Sequence, residues 1–293
     1  MTNWEGKSRG NVLGYKIFMW SLTWLGLNFA YFLLRFVTAY FVFASGKAFR
    51  ASYYFFHARL GQNAVRAVIS IFRNYYLFGQ VLIDKTVVLS GMKHRIRFVL
   101  EGKEHLYSMQ NGGILISGHI GSWEVGGKAL DFLEKKINLV VFDAEHQAIS
   151  QYMEGVLTER NVSFIKIGDG LSHLIEIKEA LARKEIIALH GDRFLDGSQT
   201  VDIDFLGEKA SFPTAPWHMA SYFNVPVSYV FAIKESRFQY RFYASPLKTI
   251  PSLKNPVKRA EQVSGSIREY VSGLEEMTRK YPHQWYNFYP FWK

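Results

Sequence analysis

A histidine lies in a glycine-rich turn directly after an apolar, strand-like segment, residues 114–117. A neutral imidazole such as that of His119 can remove the proton of a hydroxyl group as the hydroxyl attacks a carbonyl carbon. Glu124 follows after four intervening residues, in the predicted first turn of a helix that Ser122 caps. A carboxylate at that place can orient the ring and stabilise the imidazolium. The spacing therefore predicts a general base, His119, with Glu124 as its partner.

This pairing depends on a break in the chain between the two residues. An uninterrupted helix would place side chains five residues apart about 140° apart around its axis, which is poor for contact. Gly118 and Gly121 bracket His119 and provide the sharp turn that brings the carboxylate back towards the ring. A histidine that caps a helix beside a solvated glutamate is the alternative that the spacing leaves open.

A second group of polar residues, His190-Gly191-Asp192-Arg193, ends a later predicted strand. Ligand sites of open α/β sheets lie beyond the carboxyl ends of the strands, so this group is predicted on the same edge as His119. Arg193 can bind a carboxylate or phosphate, or stabilise an oxyanion. A structural ion pair between Asp192 and Arg193 is the alternative.

The elements that must position these residues alternate between strands and helices. This order predicts an α/β fold with a mixed, mostly parallel central sheet flanked by helices. The predicted strands are residues 96–100, 114–116, 138–142, 162–167, 185–189, 201–205, 228–233 and 237–243. The predicted helices are residues 51–89, 102–110, 122–136, 147–160, 172–183, 213–222 and 256–281.

The first fifty residues differ from the rest in their apolar character. Residues 17–34 carry no charge and are rich in Trp, Phe and Leu, and the apolar run resumes over residues 36–45. This length predicts a membrane helix or a deep interfacial anchor, followed by a second domain over residues 51–293. The run is longer than the apolar core of a secretory signal, and a long buried helix of a soluble core is the remaining alternative.

Composition limits the possible functions. The chain of 293 residues carries a formal net charge of +10, which suits an anionic membrane, an acidic protein or a nucleic acid. The positive charges are scattered, which argues against a nucleic-acid-binding arm. No cysteine is present, so disulfides, thiolate catalysis and cysteine metal sites are excluded.

Taken in order, these motifs resemble those of one family, the bacterial lipid A biosynthesis acyltransferases, a branch of the glycerolipid acyltransferase superfamily. The resemblance covers nearly the whole chain. It rests on the apolar N-terminal segment, His119-x4-Glu124, Gly191-Asp192-Arg193, Phe205-Leu206-Gly207, Phe212-Pro213, Val225-Pro226-Val227 and Gln284-Trp285.

The resemblance implies a fold like that of glycerol-3-phosphate acyltransferase and a role for each matched residue. His119 would be the general base and Glu124 the residue that orients it. Asp192 and Arg193 would position substrate or stabilise the oxyanion, and Arg160, a looser match, would contact substrate. The wider superfamily has a Glu-Gly-Thr-Arg block where this chain has residues 190–193, so the individual roles within that block stay open.

The implied reaction moves a fatty acyl chain from acyl carrier protein, or less readily coenzyme A, to a hydroxyl of a lipid, foremost a lipid A precursor. It needs no cofactor and no metal. The implied place is the inner membrane, with the active site facing the cytoplasm and no nucleic-acid partner. The resemblance also leaves room for a lysophospholipid or amino-acid-containing lipid as the acceptor.

Two other classes of protein remain possible from the residues alone. One is a non-catalytic protein that binds membrane lipids through its apolar segment and basic surface. The other is a metal-dependent hydrolase whose ligands would be His119, Glu124, Asp192 and Asp202.

Overall fold

The computed structural model describes residues 12–89, 96–122, 125, 128–142, 162–167, 170–195 and 197–292. Two of the predicted site residues, Glu124 and Arg160, lie outside this part of the chain, as does the predicted helix 147–160.

A mixed, mostly parallel sheet forms the centre of the described structure, which confirms the predicted fold class. Its strand order is β1-β9-β8-β2-β5-β3-β4, with β10 paired to β8, and a separate hairpin joins β6 and β7. Neighbouring strands are parallel except where β8 meets β9 and β10. The strands are β1 Arg97–Glu101, β2 Gly113–Ser117, β3 Ile137–Phe142, β4 Val162–Ile167, β5 Ile186–His190, β6 Thr200–Phe205, β7 Glu208–Pro213, β8 Pro226–Ser236, β9 Gln239–Ala244 and β10 Lys248–Thr249.

The parallel pairing of β2 with β5 brings the two polar groups together. Both strands consist almost entirely of buried aliphatic residues, as expected for strands that are covered on both faces. Ser117 is the register partner of His190, so the two strands end side by side. Residues that follow each strand therefore meet at one edge of the sheet.

Helices cover the sheet on both faces and enclose two main apolar clusters. The described α-helices are α1 Val12–Ala44, α2 Gly46–Tyr53, α3 Ala64–Leu89, α4 Lys103–Tyr107, α5 Ser172–Ala182, α6 Ala215–Phe223 and α7 Pro256–Lys280. A π-helical turn, Tyr54–Arg59, separates α2 from α3.

Two predicted elements differ from the structure. Lys128–Leu133 is a 3₁₀ helix, where the sequence predicts a longer α-helix. Two glycines precede this segment at positions 126 and 127, and glycine disfavours continuous α-helix. Glu208–Pro213 is the second strand of a hairpin, where Phe212-Pro213 reads as a helix start. Helix α6 begins two residues later, at Ala215.

Helix α1 is long and apolar, is interrupted by a kink at Gly26, where φ is +78°, and packs against α3. Its inner side includes the buried residues Ala30, Tyr31 and Thr38. The stretch Trp24–Ala44 has the length and composition of a membrane-spanning helix, with 28% of its residues buried. Its outer side exposes large apolar side chains, among them Trp24, Phe29, Phe32, Phe36, Tyr40 and Phe43.

A buried ion pair joins this helical layer to the sheet. Lys234 on β8 donates a hydrogen bond to Asp84 on α3, and both side chains are almost fully buried. The hydroxyls of Tyr31 and Tyr240 also donate to Asp84. Burial lowers the pKa of Lys234, whereas Asp84 raises it, and the net effect is a lowered pKa. The cluster ties α1, α3, β8 and β9 to one another.

The aromatic C-terminal tail docks on the core. Trp285, Tyr286, Phe291 and Trp292 are buried. The Trp292 indole nitrogen donates a hydrogen bond of 2.9 Å to the carbonyl of Phe205. These aromatic side chains therefore pack inside the protein.

Candidate active site

The turn after β2 carries His119, and its backbone conformation requires glycine at position 121. Gly121 has φ of +67°, and a Cβ atom there would overlap the carbonyl oxygen of Ala232. The close approach allows Ser122 to donate a backbone hydrogen bond of 2.8 Å to the same carbonyl. The hydroxyl of Ser122 in turn accepts from the amide of Val125 at 3.3 Å, which is the capping contact expected from the sequence.

His119 and Asp192 form a doubly bonded pair at the edge where β2 and β5 end. The His119 ring atom Nδ1 lies 2.7 Å from Asp192 Oδ1, and the His119 backbone amide donates to Asp192 Oδ2 at 2.8 Å. The carboxylate thereby fixes both the main chain and the ring of the histidine. The His119 side chain is 24% exposed and that of Asp192 is 2% exposed. The ring thus faces outward from a buried acid.

The surroundings of Asp192 keep it ionised. Burial alone would raise the pKa of this carboxyl, but the charges and hydrogen bonding of His119, Arg193 and His190 outweigh it and hold the pKa well below the usual range. An ionised carboxylate only accepts hydrogen bonds, so Nδ1 of His119 is the donor. The lone pair of the neutral ring is then on Nε2, the nitrogen that can take a proton from a substrate.

His190 stacks on the candidate base. The centroids of the two imidazole rings lie 4.1 Å apart and their planes are 32° apart. His190 is half-buried at the last position of β5. His190 therefore covers one face of the His119 ring and restricts rotation of the His119 side chain.

Arg193 lies beside this pair and is held by the C-terminal tail. Its Nη2 donates a hydrogen bond of 2.5 Å to the carbonyl of Tyr286, and its guanidinium lies 5.5 Å from the centre of the Tyr289 ring. The amide of Tyr286 donates to the carbonyl of His119 at 2.8 Å. The same peptide segment therefore contacts both the candidate base and the candidate arginine.

Tyr270 of α7 supports the turn from beneath. Its hydroxyl donates a hydrogen bond of 2.7 Å to the carbonyl of Ser117, the last residue of β2. Burial raises the pKa of this phenol well above its usual value, so the hydroxyl keeps its proton. A Cβ at Gly118 would lie 2.9 Å from the Tyr270 oxygen. The small residue lets helix α7 approach the turn closely.

The structure gives a direct contact for one of the two residues that the resemblance assigns to substrate positioning or oxyanion stabilisation. Asp192 is buried and bonded to His119 through both of its carboxylate oxygens. The expected contact of Glu124 with His119 lies outside the described residues, as does the expected substrate contact of Arg160. Arg193 lies where predicted, on the same edge as His119.

Sequence reasoning missed the parts of this site that come from distant segments. His190 was part of the noted strand end but received no function. For the tail, the sequence provides only the Gln284-Trp285 pair of the resemblance, and nothing in its local pattern indicates that the Tyr286 amide bonds to the His119 carbonyl.

Three possible metal ligands come together here: His119, His190 and Asp192, with ligand atoms within 4.8 Å of one another. Asp202, which the hydrolase hypothesis also names as a ligand, is on β6, where it accepts a hydrogen bond of 2.7 Å from Ser211. The close contact between Nδ1 of His119 and Asp192 is the arrangement of a base and its orienting acid, and needs no ion between the two atoms.

Comparisons with known proteins bear on this geometry. Residues 10–293 match the family model described as "Bacterial lipid A biosynthesis acyltransferase". Among solved structures, the chain is similar to the 1-acyl-sn-glycerophosphate (LPA) acyltransferase PlsC from Thermotoga maritima. The identity is 14% and the TM-score 0.40, over 85% of this chain and 97% of that chain. No curated protein matches the sequence.

Proposed function

Because the chain belongs to the bacterial lipid A biosynthesis acyltransferases, we propose that it moves a fatty acyl chain from acyl carrier protein to a hydroxyl group of a lipid A precursor. The observation that supports this most directly is the His119–Asp192 pair, a base with an orienting carboxylate at the exposed edge of the sheet. Acyl transfer from a thioester needs such a base and a stabiliser of negative charge.

His119 performs the proton transfers. Its Nε2 takes the proton of the acceptor hydroxyl as the hydroxyl oxygen attacks the thioester carbonyl carbon, which gives a tetrahedral oxyanion. The carbon–sulfur bond then breaks, and the imidazolium returns the proton to the thiolate of the carrier. Asp192 stabilises the imidazolium between the two steps, since its low pKa keeps it ionised.

Arg193 provides the positive charge near the reacting carbonyl. Its guanidinium has several N–H groups, of which Nη2 is bonded to the Tyr286 carbonyl. Two further residues keep the roles that the family resemblance implies. Arg160 is assigned to substrate binding and Glu124 to orienting His119.

The net charge of the chain supports the choice of acyl donor, and the exposed apolar side of α1 supports the membrane-binding surface. Acyl carrier protein is acidic, and a net charge of +10 favours its approach over that of an uncharged partner. The exposed apolar side of α1 inserts into the inner membrane, with residues 1–50 as the anchor and the active site open to the cytoplasm. The phosphorylated acceptor is then reached from the bilayer surface.

The test is to supply purified protein in anionic phospholipid vesicles with labelled acyl thioesters of acyl carrier protein and of coenzyme A. A lipid A precursor, a lysophospholipid and an amino-acid-containing lipid serve as acceptors, and the product is identified by mass. We expect acylated lipid A precursor from the carrier thioester, and none from the His119→Ala variant. Acylation of a lysophospholipid instead would change the acceptor but keep the reaction.

Two outcomes would remove the proposal. Absence of any acylated product with all donors and acceptors, in protein that binds the vesicles, would favour a lipid-binding protein without catalysis. Hydrolysis of the thioester that a chelator abolishes and zinc restores would favour the metal-dependent alternative at His119, His190 and Asp192.

A further inference from the structure

We infer that Gln284 and Asn74 are positioning residues: through the main chain of residues 283–286, here called the tail segment, they hold His119 and Arg193 in the arrangement that acyl transfer needs. The inference rests on the proposed function, since it assigns these two amides to that reaction. Neither side chain reaches the exposed edge where substrate would bind, and both are buried.

The tail segment contacts the site by three main-chain hydrogen bonds. The carbonyl of Gln284 accepts from the Gly121 amide at 2.9 Å, and the Tyr286 amide donates to the His119 carbonyl at 2.8 Å. The carbonyl of Tyr286 accepts from Arg193 at 2.5 Å. One short peptide therefore sets the position of the turn that carries the base and of the nearby guanidinium.

The side chain of Gln284 fixes the tail segment to the sheet. Its Nε2 donates to the Lys234 carbonyl at 2.8 Å and its Oε1 accepts from the Lys234 amide at 2.9 Å. This pair of bonds imitates the pairing of two strands and specifies one register only. Lys234 is itself held by Asp84 on α3, so the support is rigid.

Asn74 fixes the tail segment from the opposite side. This residue of α3 donates from Nδ2 to the carbonyls of His283 and Trp285, at 3.0 Å each. The tail segment is thus held between β8 and α3 by two buried amides, and the Gln284 carbonyl together with the Tyr286 amide and carbonyl contact the active site.

Apolar packing alone would not give this precision. Trp285 is buried among aromatic rings, but the hydrophobic effect is non-directional and tolerates a small slide along the chain. Catalytic groups must be held to about 0.5 Å, which directional hydrogen bonds from supporting residues provide. The two amides are well suited to this purpose because each satisfies main-chain groups that would otherwise be buried without a partner.

The experiment compares Gln284→Leu with Asn138→Leu. Asn138 is a matched control, since it is a buried amide that donates to Glu185 at 2.9 Å and to the Ile186 carbonyl at 3.3 Å, away from the tail segment. We expect Gln284→Leu to lower kcat by about 100-fold with KM changed less than about threefold, as for a small displacement of catalytic groups. Asn138→Leu should keep kcat within about threefold of wild type although it loses thermal stability.

Coupling to Arg193 separates positioning from general damage. If Gln284 acts through the tail segment, its substitution should cost less in an Arg193→Ala background than in wild type, because one of the two groups that it positions is already absent. Full additivity of the two effects would overturn the inference, as would a kcat of Gln284→Leu within about threefold of wild type. Should Gln284→Leu fail to fold, Gln284→Glu, which keeps the volume but loses the donor to the Lys234 carbonyl, is judged by the same criteria.

Hydrogen exchange provides a readout that does not need activity. The amides of Gly121 and Tyr286 should lose protection in Gln284→Leu and Asn74→Leu, but not in Asn138→Leu. Unchanged protection in both tail variants would overturn the inference even if the enzyme assay works. Loss of protection without any acyl transfer by the wild type would instead leave the positioning intact and remove the proposed function.

Discussion

The centroids of the His119 and His190 imidazole rings lie 4.1 Å apart and their planes are tilted by 32°, so a second histidine contacts the candidate base. Asp192 holds one edge of the His119 ring and His190 covers one of its faces. The remaining edge, with Nε2, is the part that can meet a substrate.

His190 is expected to act through the shape of its ring. In His190→Phe an aromatic ring still covers His119, and we expect turnover to stay within about tenfold of wild type. In His190→Ala the cover is lost, the His119 ring gains rotational freedom, and turnover should fall further, by about 10–100-fold. The measurement is the steady-state rate of acyl transfer for both variants. A rate of His190→Phe as low as that of His190→Ala would mean that the imidazole itself takes part in the chemistry.

Asp192→Asn should remove most of the activity while it preserves the shape of the site. An asparagine can donate to Nδ1, which favours the ring tautomer with the proton on Nε2 and so removes the acceptor that the reaction needs. We expect turnover to fall by about 10³-fold or more. Glu124→Gln is the comparison variant. A larger loss in Glu124→Gln than in Asp192→Asn would return the orienting role to the glutamate.

Asp192 also predicts how stability responds to acid. Its pKa in the folded protein is below the ordinary value of 3.8, so its ionised form favours the folded state. That contribution is complete above the ordinary value and is lost as the pH falls from there through the lower folded pKa. Wild-type protein should therefore lose stability on acidification below about pH 4, and Asp192→Asn should lose less over the same range. Thermal unfolding of both proteins at a series of pH values checks this, and equal slopes would contradict it.

Much of the fold could be predicted from local patterns. The β-branched and aromatic segment Val162–Ile167 and the buried run Ile186–His190 predict strands, and Asn255 with Pro256 marks the start of α7. The edge of the sheet that carries His119 and Asp192 also follows from the alternation of strands and helices.

The details of the site depend on contacts between distant segments, which local patterns do not reveal. That Ser117 pairs with His190 requires β5 to lie next to β2, although β3 and β4 come between them in the chain. For the same reason, the sequence does not show that the Asp192 carboxylate reaches the His119 ring. The Tyr286 contact joins residues 119 and 286, and no periodicity indicates it.

The Asp84–Lys234 pair should be important for stability because both charges are buried. Removing one partner leaves the other charge without compensation, which costs about 3–5 kcal/mol in a protein interior. We therefore expect Lys234→Met to lower the free energy of unfolding by that order. Lys209→Met is the control, since its pair with Asp204 is exposed and such pairs contribute less than about 1 kcal/mol. Denaturant unfolding in detergent measures both, and equal losses would mean that the buried pair is replaceable.

Helix α1 is expected to lie in the plane of the membrane surface and not to cross it. Its inner face packs along α3, as Tyr31 contacts Asp84 and Leu34 lies against Gly79. Helix α3 also exposes Arg66 and Arg73. Because α3 is packed against α1, a transmembrane orientation of α1 would place these two charges in or near the hydrocarbon core, which is energetically costly.

The outer face of α1 should then carry the membrane affinity. A double substitution, Phe32→Ser and Phe36→Ser, removes two exposed apolar side chains, each worth about 1.5–3 kcal/mol when fully buried. We expect binding to anionic vesicles to weaken by at least about tenfold, whereas Tyr222→Ser, at another exposed aromatic position on α6, should leave it unchanged.

The chain has no cysteine, so single cysteines introduced at Ser8 and Lys47 can be labelled with a membrane-impermeant reagent. Labelling of both from the same side of sealed vesicles agrees with an in-plane helix, and labelling from opposite sides would show that the helix spans the bilayer.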